Sequence, residues 1–186
     1  MGVIGKDFKY KKISNFITND ELKLLKNYCG IKHRTNRDNF DLRQSNNHDT
    51  YFYGDPTMDA LLLAKQNLME KETGKELYAS YSFWRMYTKY AVLENHFDRP
   101  SCEISVTAHI DSDKKINWPI IIDGKEIYTE PGDAVIYLGA ELYHERKEFK
   151  GDYHLQTFLH YVDKNGKYAD HFMDKREFWG LNKLTG

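Results

Sequence analysis

From Leu77 onward the sequence is a series of short segments rich in aromatic and β-branched residues, each separated from the next by a turn signal. Such residues favour strands, whereas clusters of Asp, Gly and Pro favour turns. The pattern predicts strands in the segments 77–93, 103–110, 118–122, 125–128, 133–138, 141–146 and 153–162. Short strands at this spacing are typical of two packed antiparallel sheets.

Two helices are predicted ahead of the strands. Thr18 and Glu21 have the spacing of a capping box, Ile17 can staple onto the first turn, and Gly30 is the predicted end of the first helix. The second helix is predicted to follow Asp55-Pro56 and to end before Gly74. Apolar or long side chains at helical spacing support both helices: Leu22, Leu24, Leu25 and Tyr28 in the first, and Met58, Leu61, Leu62, Lys65, Leu68 and Met69 in the second.

The chain of 186 residues is therefore predicted to form a single α+β domain. Its core, at 77–163, is expected to be a jelly roll, or double-stranded β-helix, of about eight antiparallel strands, with the helices of 13–75 buttressing one sheet. Residues 164–186 are expected to be a tail that covers a sheet edge. The polar segment 31–55 has no periodicity, which is typical either of a functional loop or of a disordered surface loop.

The composition excludes several classes of protein. The 27 Lys and Arg residues nearly balance 28 Asp and Glu, so binding to nucleic acid or anionic lipid through bulk charge is not expected. No apolar run is long enough to span a membrane, and the first residues lack the apolar core of a signal peptide. Two distant cysteines, Cys29 and Cys102, favour a reduced, cytoplasmic setting. Frequent Lys, Asn, Tyr and Ile suggest an AT-rich genome, such as that of a phage or a low-GC bacterium.

Eight histidines prompt a search for a metal site. His96 and Asp98 form an H-x-D motif, in which both side chains can point the same way from an extended chain. Together with His144 they would make the triad of two histidines and one carboxylate that holds Fe(II) in non-haem oxygenases. Such a triad leaves positions open for a chelating cosubstrate and dioxygen.

A second H-x-D motif, His109 and Asp111, competes with the first. Four predicted strands fit between His96 and His144, and in a double-stranded β-helix this count places the strands that carry them side by side. Starting from His109 leaves too few strands before His144. His154 or His160 would restore the count, but both lie in the last strand. We therefore prefer His96, and interpret His109 as a strand histidine and Asp111 as the start of a turn.

A resemblance to a known family rests on the order of these motifs. The sequence contains Arg85-Met86-Tyr87, the H-x-D motif at 96–98, the strand segment 103–107, the Glu-Pro-Gly-Asp segment from 130, and the distal His144. In this order they resemble the 2-oxoglutarate- and Fe(II)-dependent oxygenases, especially the prolyl-4-hydroxylase-like branch. The segment Ile13-Ser14-Asn15-Phe16-Ile17-Thr18 before the first helix resembles that branch as well. The resemblance covers roughly residues 13–163.

The resemblance implies a site for each cofactor. His96, Asp98 and His144 match the iron ligands, and Tyr87 matches a tyrosine that hydrogen-bonds 2-oxoglutarate, although it could equally be a core aromatic. The family also places an Arg or Lys about ten residues after the distal histidine, where it pairs with the distal carboxylate of 2-oxoglutarate. This chain has His154 at that position.

A guanidinium holds a carboxylate through two parallel hydrogen bonds, so another arginine is a candidate for that role. Arg146 is placed slightly ahead of His154, and Arg85 is a further possibility. Gln156 and His160 share strand parity with His154 and could line the same cavity. Alternatively, Arg146 pairs at the surface with Glu145 or Glu148.

The expected activity is that of a dioxygenase, which uses Fe(II) and dioxygen to convert 2-oxoglutarate to succinate and hydroxylates a C–H bond. The substrate is expected to be a small molecule or a peptide, such as an amino-acid or prolyl-like group, with no nucleic-acid or membrane partner. The segment 31–55 is hypothesised to close over the site, with Arg34, Arg37 and Arg43 contacting an acidic partner. Two alternatives remain open: a cupin-like metal enzyme that does not use 2-oxoglutarate, and a non-catalytic jelly-roll binding module.

Overall fold

The chain folds into two antiparallel sheets with two helices on the outer face of the larger one. The computed structural model describes residues 9–35, 49–113 and 116–181. The larger sheet has six strands in the order β1-β8-β5-β10-β3-β2, and the smaller has four in the order β4-β9-β6-β7. The strands are β1 Tyr10–Ile13, β2 Thr50–Tyr53, β3 Leu77–Thr88, β4 Leu93–His96, β5 Ile104–Ser112, β6 Ile120–Ile122, β7 Lys125–Ile127, β8 Ala134–Tyr137, β9 His144–Arg146 and β10 Tyr153–Asp163.

The first helix, α1, spans Asn19–Thr35. Its capping box is present: the Thr18 amide donates to Glu21 Oε2 (2.8 Å), and the Glu21 amide donates to Thr18 Oγ1 (3.3 Å). The prediction that the helix ends at Gly30 is wrong, because α1 continues past it. A Cβ at Gly30 would meet nothing within 4 Å, so no close contact there interrupts the helix.

The second helix, α2, spans Pro56–Thr73 and has the predicted ends. The Asp55 carboxylate accepts from the amides of Thr57 and Met58, and Gly74 adopts a left-handed conformation with φ 66°. Helix α2 packs on β3, and α1 packs on β5. The apolar core lies between these helices and the outer face of the six-stranded sheet; it includes Leu25, Met58, Leu62, Met69, Trp84, Val106 and Leu159. Of the predicted helical apolar residues, Leu24 instead faces solvent, with 63% exposed.

The smaller sheet covers the inner face of the larger one. Strand β4 pairs with β9, and its register sets His96 opposite His144. The strands between them, β5 to β8, are divided between the two sheets, as the strand count requires. The prediction that the strands carrying His96 and His144 are neighbours is therefore confirmed.

Two predicted segments need correction. The segment 77–93 is β3 followed by a turn, since Tyr90 has φ 73° and its amide bonds to the Phe149 carbonyl instead of a neighbouring strand. The segment 31–55 has secondary structure at both ends: α1 ends within it at Thr35, and β2 in its second half pairs with β3. Residues 36–48, with Arg37 and Arg43, lie outside the described residues. The end of this segment forms strand β2 through backbone hydrogen bonds with β3, although its sequence shows no periodicity.

The segment after β10 is more than an edge cover. Asp174 is buried and accepts two hydrogen bonds from the Arg99 guanidinium (2.8 Å each). Arg176 donates to the buried Asp59 on α2 (2.8 Å). Two ion pairs thus fix this segment against helix α2 and against the residues that follow β4. Among the described residues, no helix is long and apolar enough to cross a membrane.

Candidate metal centre and cosubstrate pocket

Three potential metal ligands converge at one end of the space between the sheets. His96 ends β4, His144 begins β9, and Asp98 follows two residues after His96. Asp98 Oδ1 lies 3.6 Å from the Nε2 atom of each histidine, and the imidazole centroids are 4.3 Å apart. One donor atom from each residue falls within 4.8 Å of the others. The structure therefore brings together the three residues predicted as ligands.

Backbone carbonyls orient both imidazoles. His96 Nδ1 donates to the Glu94 carbonyl (2.7 Å), and His144 Nδ1 donates to the Leu142 carbonyl (3.0 Å). Because a carbonyl can only accept, the proton of each neutral ring lies on Nδ1 and the lone pair lies on Nε2, which faces Asp98. Neutral imidazoles fixed in this tautomer, beside a carboxylate, fit a divalent transition metal.

Asp98 is held by contacts that leave Oδ1 facing the histidines. Its amide donates to the Gly139 carbonyl (2.8 Å), and Ser105 Oγ donates to Oδ2 (3.1 Å). Burial alone would raise the pKa of Asp98, but donation and positive charge from His144 and His96, when these rings are protonated, outweigh it and hold the pKa far below its usual range. The side chain is therefore an ionised carboxylate, the form that binds a metal.

A second group of possible ligands shares Asp98 and adds Cys102 and His160. The thiol of Cys102 contacts Tyr81 Oη (3.0 Å), and burial raises its pKa far above the ordinary value, so the thiolate that a metal requires is disfavoured. His160 Nδ1 already contacts Ser105 Oγ (2.9 Å). The set of His96, Asp98 and His144 is thus the better candidate.

The candidate ligands open into a cavity of about 280 Å³ between the sheets. Its walls are mainly aromatic: Tyr51, Tyr81, Phe83, Tyr87, Tyr137 and Phe158. His160 also lines it, but the expectation that His154 and Gln156 share a cavity with His160 is wrong, because His154 lines a second cavity and Gln156 lines neither. Arg34 does not line it; that residue borders a groove between α1 and the outer face of the six-stranded sheet.

Arg146 is a buried cation beside this cavity. Its side chain is 1% exposed, and burial lowers its pKa to about 10, so the guanidinium is still charged at neutral pH. Nη1 donates to the Trp118 carbonyl (2.5 Å), Nη2 donates to the Gln156 side-chain oxygen (3.0 Å), and Nε has no hydrogen-bond partner. A buried charge without an opposite charge is unfavourable, so an anionic ligand would be stabilised here.

The alternative that Arg146 pairs with Glu145 or Glu148 at the surface is wrong. Arg146 points inward, on the same face of β9 as His144, because side chains alternate along a strand. The two glutamates form ion pairs with Lys147 and Lys150 instead. No described carboxylate forms an ion pair with Arg146.

Tyr87 and Arg85 face the same cavity from β3. The Arg85 guanidinium lies 4.5 Å from the Tyr87 ring centroid, and the Trp118 ring meets Tyr87 edge-on at 4.9 Å. Arg85 donates through Nε (2.9 Å) and Nη2 (2.7 Å) to the buried carboxylate of Asp49. Since that ion pair balances its charge, Arg85 is a weaker candidate than Arg146 for binding a carboxylate.

His154 lies near the cavity but faces a different space. Its ring centroid lies 4.4 Å from that of His109 with the ring planes tilted by 34°, and it lines a second cavity with His109 and Trp118. Burial, with help from the nearby Arg146, holds the pKa of His154 well below its usual range. The ring is therefore neutral and lacks the charge that a guanidinium would bring to a carboxylate.

The second H-x-D motif is divided between the two faces of its sheet. His109 pairs with Gln156 across β10, whereas Asp111 pairs with Leu155, so Ile110 is the extra residue of a β-bulge. The bulge turns Asp111 to the helix side, where it pairs with Lys26 of α1 (2.7 Å). The interpretation of Asp111 as the start of a turn is wrong, because β5 continues through it.

Comparisons with known proteins agree on the architecture. No protein-family model matches the sequence, and no curated protein matches it. Among solved structures, a Pseudomonas putida prolyl-4-hydroxylase is 17% identical with a TM-score of 0.65, covering 84% of this chain and 94% of that one. A viral collagen prolyl hydroxylase from Paramecium bursaria Chlorella virus-1 is 12% identical with a TM-score of 0.63, covering 85% and 97%.

An α-ketoglutarate-dependent epimerase from nogalamycin biosynthesis is 11% identical with a TM-score of 0.70, covering 95% of this chain and 88% of that one. This chain has the fold of the 2-oxoglutarate- and Fe(II)-dependent oxygenases. The predicted α+β double-stranded β-helix with N-terminal helices is therefore confirmed.

Within this oxygenase fold, sequence reasoning missed the residues that support the candidate ligands. Ser105 and Gly139 hold Asp98, and Tyr51 forms part of the cavity wall. Strand parity could have placed Ser105 on the inner face, since it alternates with the buried Ile104 and Val106 of the helix-side core. Nothing local marks Gly139 or Tyr51, because their roles depend on contacts between distant segments.

Proposed function

We propose that the protein is an Fe(II)- and 2-oxoglutarate-dependent dioxygenase in which His96, Asp98 and His144 hold the metal. The observation that carries the proposal is the convergence of His96 Nε2, His144 Nε2 and Asp98 Oδ1 at one cavity within an oxygenase fold. Fe(II) bound there would supply the chemistry by which dioxygen and 2-oxoglutarate yield succinate and carbon dioxide while a C–H bond becomes C–OH.

The contribution of the three side chains is to bind and orient. Carbonyl contacts keep both Nε2 lone pairs facing the cavity, and Ser105 keeps Asp98 Oδ2 occupied so that Oδ1 faces the same point. A two-histidine, one-carboxylate set occupies one face of an octahedral ion. The remaining face is open to a chelating cosubstrate and dioxygen.

Arg146 is proposed to bind the distal carboxylate of 2-oxoglutarate. It lies two residues beyond His144 on the same face of β9, and its Nε has no hydrogen-bond partner. Charge-assisted hydrogen bonds from a guanidinium are stronger than those from a neutral imidazole, which favours Arg146 over His154. Tyr87, on the opposite wall, is proposed to donate to the same cosubstrate.

The aromatic wall is proposed to exclude water around the bound cosubstrate. Tyr51 stacks on Phe83 at 5.7 Å, and Phe83 meets Phe158 at 6.0 Å. We propose a hydroxylated substrate with an amino-acid or peptidyl group, and the support for it is the similarity to two prolyl hydroxylases. Phe97 and Tyr143, both exposed and 5.1 Å apart, flank the candidate ligands in sequence and could contact such a substrate.

The test is a turnover assay with the purified full chain, Fe(II), 2-oxoglutarate and air, with prolyl peptides and free amino acids as substrates. We expect oxygen consumption with one succinate formed per hydroxyl group introduced, and neither product from the Asp98→Ala variant. Metal-dependent turnover without succinate would favour a cupin-like enzyme instead. A protein that binds no Fe(II) would favour the non-catalytic binding module.

A further inference from the structure

A second cavity, of about 290 Å³, lies at the other end of the space between the sheets. Ser105, near the start of β5, contacts Asp98, whereas Ser112, at the end of the same strand, lines the second cavity. At about 3.3 Å per residue, the two ends of β5 are more than about 20 Å apart. The second cavity is lined by residues of the segments after β5 and β7, and it adjoins the first where Trp118 contacts both Tyr87 and His154.

Two buried nitrogens in this cavity lack hydrogen-bond partners: His109 Nε2 and His154 Nδ1. Both side chains are almost fully buried, and their rings are in contact, with centroids 4.4 Å apart. Buried polar atoms in folded proteins nearly always have partners, so two adjacent exceptions indicate a missing ligand.

The chemistry of that ligand follows from the tautomers. His109 Nδ1 donates to the Thr129 carbonyl (2.9 Å), so its Nε2 carries a lone pair. The Gln156 amide is oriented by its partners, with its nitrogen toward Thr107 Oγ1 and its oxygen toward Arg146 Nη2 and His154 Nε2. His154 Nε2 therefore donates (2.7 Å), and its Nδ1 also carries a lone pair.

Two lone pairs call for a ligand that donates hydrogen bonds, which excludes carboxylates and phosphates. Burial is the main cause that lowers the pKa of both imidazoles, and the Arg146 guanidinium lowers it further, so its positive charge reaches this cavity and opposes a cationic ligand as well. A metal ion is opposed by the same charge. No described group of three ligand atoms that includes either histidine lies within 4.8 Å.

We propose that this second cavity binds a small neutral molecule with an NH₂ group, such as a carboxamide, which donates one hydrogen bond to His109 Nε2 and one to His154 Nδ1. Ser112 and Asn117 also line the cavity and offer polar groups to the rest of the ligand. The proposed hydrogen bonds involve neither the metal nor the cosubstrate, although Gln156 links His154 to Arg146, so this proposal is tested separately from the dioxygenase proposal.

The experiment is nitrogen-15 NMR of the imidazole rings in the full-length protein. The probes are acetamide, acetate and acetamidinium, which have nearly the same shape but are neutral, negative and positive. We expect acetamide to shift His109 Nε2 and His154 Nδ1 saturably, in the direction of an accepted hydrogen bond, while the two ions leave both resonances unchanged.

Variants test the assignment. His109→Phe should abolish the acetamide response of His154, and Glu130→Gln, an exposed change at the same cavity, should leave it unchanged. The wild-type titration decides the question without relying on the folding of His109→Phe. The proposal is overturned if acetamide produces no saturable shift, if acetate or 2-oxoglutarate moves both nitrogens toward imidazolium values, or if Zn²⁺ alone shifts both.

Discussion

The chain contains two H-x-D motifs: the side chains of one converge, and those of the other lie on opposite faces of a sheet. His96 and Asp98 stand where β4 ends, and both side chains turn toward one point beside His144. His109 and Asp111 stand within β5, where a bulge at Ile110 sends one side chain inward and the other to the helix side. Identical spacing in sequence therefore gives a candidate ligand pair in one place and a divided pair in the other.

The difference shows that the motif alone does not determine whether its two side chains converge. Convergence depends on whether the motif lies at the end of a strand or within one. Beyond the last residue of β4 the chain is free of ladder hydrogen bonds, so Asp98 can turn back while its amide bonds to Gly139. Within β5, neighbouring strands on both sides fix the backbone, and the imidazole of His109 contacts that of His154.

The largest expected contrast comes from removing each aspartate in turn. Asp98→Ala deletes a proposed ligand and should weaken Fe(II) binding by more than about 100-fold, beyond the effect of losing a supporting contact. Asp111→Ala removes only a partner of Lys26 and Tyr153 and should leave Fe(II) binding unchanged. Anaerobic calorimetry with Fe(II) measures both, and equal losses in the two variants would contradict the comparison.

The next prediction is that a change at Arg146 alters the affinity for the cosubstrate without lowering the thermal stability of the protein. Arg146→Met should weaken 2-oxoglutarate binding by about 10- to 100-fold, since a hydrogen bond to a charged group contributes about 1.5–3 kcal/mol. The same change should leave the melting temperature unchanged or raise it, because the buried charge has no acidic partner. Lys147→Met, 71% exposed, is the matched control. Tight 2-oxoglutarate binding by Arg146→Met, with weak binding by His154→Gln, would reverse the assignment.

A smaller effect is expected from crowding Asp98 without removing it. A Cβ at Gly139 would lie 2.5 Å from Asp98 Oδ2 and Ser105 Oγ, and 2.6 Å from the Cys102 carbonyl. Gly139→Ala should therefore displace Asp98 and weaken Fe(II) binding by about 10-fold or more.

The matched control for Gly139 is Gly30→Ala. This glycine lies within α1 with open space around it, so alanine should stabilise the protein by about 0.5–1 kcal/mol. Chemical denaturation and Fe(II) titration of both variants test the pair. Undisturbed Fe(II) binding in Gly139→Ala would show that Asp98 is not held as described.

The smallest effect is expected from removing the ion pair between Asp111 of the second motif and Lys26 of α1. Lys26 is 58% exposed where it pairs with Asp111, and ion pairs of this kind contribute at most about 1 kcal/mol. Lys26→Met should lower the free energy of unfolding by no more than that and leave Fe(II) binding unchanged. A loss of Fe(II) binding in this variant would link Asp111 to the metal site after all.

Much of this arrangement could be predicted from the sequence because its signals are local. The capping box of Thr18 and Glu21, the Asp55 cap of α2 and the turn signals between strands each depend on a few adjacent residues. Counting those strands then predicts that the strands carrying His96 and His144 are neighbours, and the structure adds the register that sets the two residues opposite each other.

Other features depend on contacts that no short pattern records. The bulge at Ile110 lies where the register of β5 against β10 shifts, and β5 continues through Asp111, which the sequence indicated as the start of a turn. The burial of Arg146 could not be inferred either, since neighbouring glutamates offered surface partners that the fold gives to Lys147 and Lys150.

The most direct test of the proposed site is an anaerobic absorbance titration, in which Fe(II) and then 2-oxoglutarate are added to wild-type protein and to His96→Ala and His109→Ala. The account predicts a visible charge-transfer band, from Fe(II) chelated by 2-oxoglutarate, in wild type and in His109→Ala, and no band in His96→Ala. A band that survives in His96→Ala and vanishes in His109→Ala would contradict the assignment of the metal to the first motif.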